Sequence, residues 1–71
     1  MDRATLEEYL ALVERLIADV ERDIVRQREL VAQLERDGHG ALEAMELLDQ
    51  LEHLHALHIA DRDRLRTELG L

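Results

Sequence analysis

Apolar residues recur along the first half of the chain in alternating steps of four and three positions. The series is interrupted once by a glutamine and comprises Leu6, Leu10, Val13, Ile17, Val20, Ile24, Gln27, Val31 and Leu34. This spacing is the heptad pattern of a helix that packs lengthwise against another helix. A second apolar line follows one flank of the series, is interrupted by Asp23, and comprises Tyr9, Leu16 and Leu30. A stripe of this width can contact more than one neighbouring helix.

The second half of the chain has a stripe of its own that contains more polar residues. Its members are Ala44, Leu47, Leu48, Leu51, Leu54, His55, His58, Arg62, Leu65 and Leu69. Because successive helical residues turn by about 100°, these positions fall within about a third of the helix circumference. The pattern therefore predicts a second amphipathic helix that packs through this stripe.

The segment Asp37–Gly40 is the only break between the two stripes. Gly38 suits the left-handed residue that ends a helix, and Gly40 leaves the backbone free to enter the next one. So short a connection places the two helices side by side and antiparallel. We therefore predict a single all-α domain, a two-helix antiparallel hairpin, with a helix at about 3–37, a turn at 38–40 and a helix at about 41–69.

The ends of the helices have sequence signals of their own. Thr5 and Glu8 have the spacing of a capping box at the start of the first helix, and Asp2 is a competing cap one turn earlier. Gly70 is the expected stop of the second helix.

Composition supports helix throughout and limits the stability of one hairpin. The chain has 15 leucines, a single tyrosine and no proline, phenylalanine or tryptophan, whereas strands favour β-branched and aromatic residues. Its 71 residues are near the lower limit for a self-sufficient hydrophobic core. Small scaffolds without a disulfide or a metal usually gain stability by association. We expect the hairpin to dimerise into a four-helix bundle, and the alternative is a marginally stable monomer.

The charge balance argues against nucleic-acid and membrane partners. Nine arginines and no lysine stand against 17 acidic residues, for a formal net charge of −8. Such a field repels phosphate backbones and anionic lipid surfaces, and no apolar run approaches the ~20 residues of a membrane span. An arginine-only basic set with abundant alanine, leucine and valine indicates GC-rich coding, so we expect a bacterial protein. Acidic residues occupy the place of a signal peptide's basic start, which predicts a cytoplasmic location.

The four histidines are the main candidates for chemistry, and their positions differ. His39 lies at the tip of the hairpin and His53 projects opposite the stripe, so we expect both to be solvated. His55 lies within the apolar arc toward one edge, and His58 lies near its centre. Only the last two are therefore expected in the interface between the helices.

Folding the second helix back on the first brings the polar interruptions of the two stripes to similar levels. Reflection about residue 39 places His55 level with Asp23, and it places Gln27 and His58 about a turn or two away. We predict a polar layer in the middle of the bundle, made of Asp23, Gln27, His55 and His58. Its expected role is structural, because buried polar residues fix register and oligomeric state in coiled coils.

A metal site is the alternative interpretation of the same region. Glu52 and His55 have the i, i+3 spacing of the Glu/His pair that bundle di-metal proteins use. A symmetric dimer would supply this pair twice, with Asp23 as the extra carboxylate, and the bundle would then have a redox or storage role. Glu52 points past the edge of the apolar arc, so we rank this interpretation second and expect no cofactor.

No pattern in the chain indicates catalysis. Besides Tyr9, the only hydroxyl groups belong to Thr5 and Thr67, neither of which has a base in helical reach, and cysteine is absent. The stretch Leu57–Leu65, LHIADRDRL, resembles the end of small uncharacterised bacterial helical-hairpin proteins. This resemblance spans most of the chain and implies the hairpin without implying an activity. We expect a non-enzymatic protein–protein interaction or scaffold module that forms a homodimer and binds an unknown protein partner.

Overall fold

The computed structural model describes residues 1–71 and consists of two helices. Helix α1 spans Arg3–Arg36 and helix α2 spans Leu42–Leu69. The helices lie antiparallel in a body of 53 × 15 × 14 Å, with the turn at one end and both chain termini at the other. The predicted all-α hairpin is confirmed.

Helix α1 begins earlier than a capping box at Thr5 and Glu8 would allow. The carboxylate of Asp2 accepts a hydrogen bond of 2.8 Å from the backbone N–H of Thr5. This bond satisfies one of the free donors of the first turn, so that Asp2 is the N-cap and Thr5 lies inside the helix. The capping-box prediction is therefore wrong, and the competing cap is the one used.

Both helices end at a glycine in the left-handed conformation. Gly38 has a φ of 73° and Gly70 has a φ of 77°. The residue after each glycine donates its backbone N–H back into the last turn, from His39 to Leu34 O at 2.9 Å and from Leu71 to Arg66 O at 2.8 Å. These are Schellman motifs, in which glycine adopts the left-handed backbone without the cost that a Cβ imposes.

The interface between the helices, called the seam below, follows the predicted heptads. Every member of the first series is buried or half-buried, and α1 supplies six of the nine buried residues: Leu10, Val13, Ile17, Val20, Ile24 and Val31. In α2 only Leu65 and Leu69 are buried. Leu47 and Leu54 are 45% and 42% exposed, so their predicted place in the seam is wrong. The predicted arc was wider than one partner helix covers, and these two residues lie at its edge.

The hairpin exposes more surface than its mass requires. Its solvent-accessible area is 5238 Å² and only 9 of its 71 residues are buried, whereas a compact protein of this mass would expose roughly 4,600 Å². Two helices side by side bury only the facing side of each helix. Hydrophobic residues outside the seam therefore remain in contact with water.

Candidate interaction surface

The two long sides of the hairpin differ in chemistry, and one of them is closed by charged contacts between the helices. We call this side the charged flank and define it by two ion pairs and one polar contact, with their N···O distances: Glu14–Arg66 at 3.5 Å, Arg28–Glu52 at 3.7 Å and the contact of Glu21 with His55 at 3.2 Å. Exposed pairs of this kind contribute little stability individually. Covering them with another protein would, however, remove their hydration at a substantial cost. The charged flank is therefore poorly suited to an apolar interface.

The opposite side, called the apolar flank below, has large hydrophobic side chains in place of these pairs. Its residues are each between 37% and 48% exposed and comprise Tyr9, Leu12, Leu16 and Leu30 on α1 and Leu47 and Leu54 on α2. Shallow grooves between the helices show that the rows on α1 and on α2 face the same side of the hairpin. Tyr9 of α1 and Glu68 of α2 line one groove, and Asp23 of α1 and Leu47 of α2 line another. Contiguous exposed hydrophobic surface of this kind is typical of an interaction site.

Charge also changes along the length of the hairpin. The turn end, residues 29–50, contains one arginine and six acidic residues, which are Glu29, Glu35, Asp37, Glu43, Glu46 and Asp49. None of these six carboxylates has an ion-pair partner within the chain. The open end, residues 1–15 and 60–71, contains five arginines and seven acidic residues. The negative charge of the molecule is therefore concentrated at the turn.

Gln27 and His55, two of the four residues predicted to form a polar layer, are half-buried in the seam. Gln27 donates a hydrogen bond of 2.9 Å from Nε2 to the backbone carbonyl of Ala44. His55 reaches out of the seam to Glu21, its Nε2 lying 3.2 Å from the carboxylate. Each polar side chain thus has its own partner, and both contacts join α1 to α2.

His58 and Asp23, the other two, have no such cross-helix partner. His58 is half-buried in the seam and forms no hydrogen bond, whereas Asp23 is exposed and lies 3.9 Å from Arg26 of its own helix. Asp23 belongs to the second apolar line of α1, which follows the apolar flank rather than the seam. No hydrogen bond joins any two members of the predicted layer.

The residues of the alternative metal site are likewise separated within one chain. Glu52 contacts Arg28 and His55 contacts Glu21, both on the charged flank, while Asp23 lies on the apolar flank. No three histidine or carboxylate side chains are close enough together to hold a metal ion. The arrangement within the hairpin therefore gives the metal interpretation no support.

The charged flank is the feature that the sequence reasoning missed. Glu14, Glu21 and Arg28 recur every seven positions, directly beside the apolar series of α1. Charges at this heptad position commonly pair between helices. Matching them with Glu52 and Arg66 at corresponding levels of the second helix would have revealed which side of the hairpin is closed.

The surface of the chain itself supports the functional argument. No family model, curated protein or solved structure matches the chain. Neither helix combines the length and the apolar character that crossing a bilayer requires. The two flanks and the uneven charge are therefore the features of the chain that point to a function.

Proposed function

We propose that the protein is a non-enzymatic protein–protein interaction or scaffold module that works as a small homodimeric helical bundle. The observation that carries this proposal is the apolar flank, whose six large hydrophobic side chains are 37–48% exposed. Burying apolar surface stabilises association by about 25 cal/mol per Å². A hairpin with such a flank is therefore more stable when a second apolar surface covers it.

The size of the flank supports an interface of ordinary dimensions. One side of a body 53 Å long and 15 Å wide offers on the order of 800 Å², which is the contribution of each partner to a standard stable interface. The apolar positions of α1 also form a seam plus one flanking line. That three-in-seven pattern is typical of helices in four-helix bundles rather than of isolated coiled-coil pairs.

The difference between the flanks supports a closed dimer rather than an open polymer. Association through one apolar surface that pairs with its own copy ends at two chains. The charged flank offers no second apolar surface through which further copies could add. In the resulting bundle the charged flanks face outward, where they remain available to another protein.

Sedimentation equilibrium and thermal melting over a range of protein concentrations test this proposal. We expect a dimer at micromolar concentration and a melting temperature that rises with protein concentration. Leu16→Glu places a charge on the apolar flank and should weaken dimerisation by roughly tenfold or more, because the carboxylate would be buried without a partner.

Val25→Glu provides the matched control for this substitution. Val25 is 54% exposed and lies beside Glu21 and Arg28 on the charged flank, so the change should leave the dimerisation constant within about twofold. A wild-type chain that is monomeric, with a melting temperature independent of concentration, would overturn the proposal.

A further inference from the structure

The hydrophobic residues of the apolar flank are unevenly distributed between the two helices. On α1 they run along the length of the flank, as Tyr9, Leu12, Leu16 and Leu30, whereas on α2 Leu47 and Leu54 lie toward the turn. Opposite Tyr9, the groove between the helices is lined on α2 by Asp61, Arg64 and Glu68. The apolar surface thus follows all of α1 and the turn half of α2, and the open end of α2 is its polar corner.

Two symmetric arrangements allow a second copy to cover this flank lengthwise. In the parallel arrangement the two turns lie at the same end and α1 faces α2 of the second copy. In the antiparallel arrangement the turns lie at opposite ends, so that α1 faces α1 and α2 faces α2. Both bury the same flank, and they differ in which side chains and which charges meet.

The parallel arrangement places apolar residues against polar ones and brings like charges together. It places Tyr9 and Leu12 over the polar corner of the second copy, which is lined by Asp61 and Glu68. It also places the two turn ends side by side, each with six acidic residues, one arginine and no ion pair to its carboxylates. Like charges at this spacing repel unless salt screens them.

The antiparallel arrangement reduces the first conflict and removes the second, because it places Leu47 rather than Tyr9 and Leu12 over the polar corner and separates the two turn ends. With the two-fold axis midway between Tyr9 and Leu30 of α1, each Tyr9 faces Leu30 of the second copy. On α2 the same axis brings Leu54 close to Leu57 of the second copy. Each acidic turn end then lies beside the open end of the other chain, where five arginines stand against seven acidic residues, so less negative charge meets there than between two turn ends.

We propose that a second copy of this chain covers the apolar flank in the antiparallel orientation, with the two turns at opposite ends of the bundle. This inference rests on the homodimer proposed above and specifies the surface and direction of its interface. The apolar line along the whole of α1 favours contact between the two α1 helices, and the concentration of charge at the turn favours the same orientation.

Distance measurement between single spin labels tests the orientation. The chain contains no cysteine, so His39→Cys, at an exposed position in the turn, gives one label per protomer. In the antiparallel dimer the two labels should be separated by about the 53 Å length of the hairpin. In a parallel dimer they would be about 10–20 Å apart, the spacing of adjacent helices plus the label arms.

Sedimentation of the same labelled sample separates the failure of this inference from failure of the proposed function. A dimer with the long distance supports the antiparallel arrangement. A dimer with the short distance overturns it and leaves the homodimer intact. A monomer without dipolar coupling between labels overturns both proposals.

Neutralisation of the turn end gives a second measurement that needs no label. In the variant Glu43→Gln, Glu46→Gln, Asp49→Asn, the antiparallel dimer changes only its contact with an open end where arginines nearly balance the acidic residues, so its dissociation constant should change by less than about threefold. A parallel dimer would be relieved of repulsion between its turn ends. A dissociation constant lowered by about threefold or more, with the difference disappearing at high salt, would contradict the inference.

Discussion

The two halves of the seam differ in the side chains that α2 contributes to them. In the open half, Leu10, Val13 and Ile17 of α1 pack with Leu65 and Leu69 of α2 in one buried cluster. In the turn half, α1 still supplies large buried side chains, but α2 offers the half-buried Ala44, Leu48 and Leu51 and half-buried polar residues. The apolar series of α1 is therefore buried along most of its length, while α2 has fully buried residues only near its open end.

A regular heptad pattern on one helix therefore does not ensure uniform packing along the whole seam. Local stability follows the number of buried apolar contacts, and segments with fewer of them open more easily. The open half is expected to resist unfolding most strongly. The turn half depends more on its Schellman motif and on single contacts such as the hydrogen bond from Gln27 to Ala44 O.

The largest effect should come from truncating the buried cluster of the open half. Leu65 is 5% exposed, and Leu65→Ala should lower the free energy of unfolding by about 3 kcal/mol through lost burial and a residual cavity. Leu48, which is only half-buried in the turn half, is the matched control, and Leu48→Ala should cost about 1–2 kcal/mol. Urea melts at one protein concentration measure both. Equal losses would remove the distinction between the halves.

At the turn, two glycines two residues apart should respond differently to alanine. Gly38→Ala forces a Cβ into a φ of 73° with no steric neighbour within 4 Å, so its cost of about 1–2 kcal/mol comes from backbone strain alone. Gly40 has an equally open site and no positive φ. Gly40→Ala should therefore be neutral or stabilising by up to about 1 kcal/mol. Denaturant melts that rank the two variants in the opposite order would contradict the role given to Gly38.

His58 lies in the seam of α2 just before the apolar cluster begins. It is half-buried and forms no hydrogen bond, so His58→Leu should extend the cluster toward the turn and stabilise the hairpin by about 1 kcal/mol. Amide hydrogen exchange should then slow in the neighbouring turns of α2. A destabilised variant would mean that the imidazole makes a contact in the assembled protein that a single hairpin lacks.

The smallest effect concerns the cap at the open end and depends on pH. The backbone N–H of Thr5 lowers the pKa of Asp2 below its ordinary value of 3.8, so the folded state favours the carboxylate. The resulting stabilisation is present above 3.8 and is lost as the pH falls through the lowered pKa of the folded state. Asp2→Ala should thus lower the melting temperature at neutral pH, and the difference should disappear in strong acid.

Asp2→Asn is the control for this last experiment. Asparagine keeps an oxygen that accepts from the N–H of Thr5 but does not titrate. The Asp2→Asn variant should therefore melt slightly below wild type at neutral pH. In strong acid, where the wild-type carboxylate is protonated, the two melting temperatures should become equal or the variant should melt higher. A pH-independent effect of Asp2→Ala would show that the charge of the cap contributes nothing.

The fold could be predicted from the sequence because α1 keeps alternating steps of four and three over nine positions, of which only Gln27 is polar. Gly38 and Gly70 could be predicted as helix ends for an equally local reason, since few residues adopt a positive φ. It was harder to predict which residues of α2 face the seam and which face a flank. Whether Leu54 enters the seam or the flank depends on where the partner helix lies, which is a property of the pair rather than of either helix.

The candidate site was predictable in part for the same reason. The second apolar line was visible in the sequence, and it became the α1 side of the apolar flank. The levels of polar residues depended on register, and a reflection about residue 39 did not identify Glu21 as the neighbour of His55. A chain-length argument cannot determine such a contact, because it requires the rotation of both helices about their axes.

A single contact at the open end has a consequence for the connectivity of the chain. Arg3 donates from Nη1 to the carbonyl of Leu69 at 3.1 Å, so the first turn of α1 and the last turn of α2 are neighbours. A short peptide joining the two termini, with new ends opened in the exposed turn, would thus preserve both helices and reverse their order along the chain. The two helices pair through complementary surfaces, so the pairing does not depend on which of their ends are linked covalently.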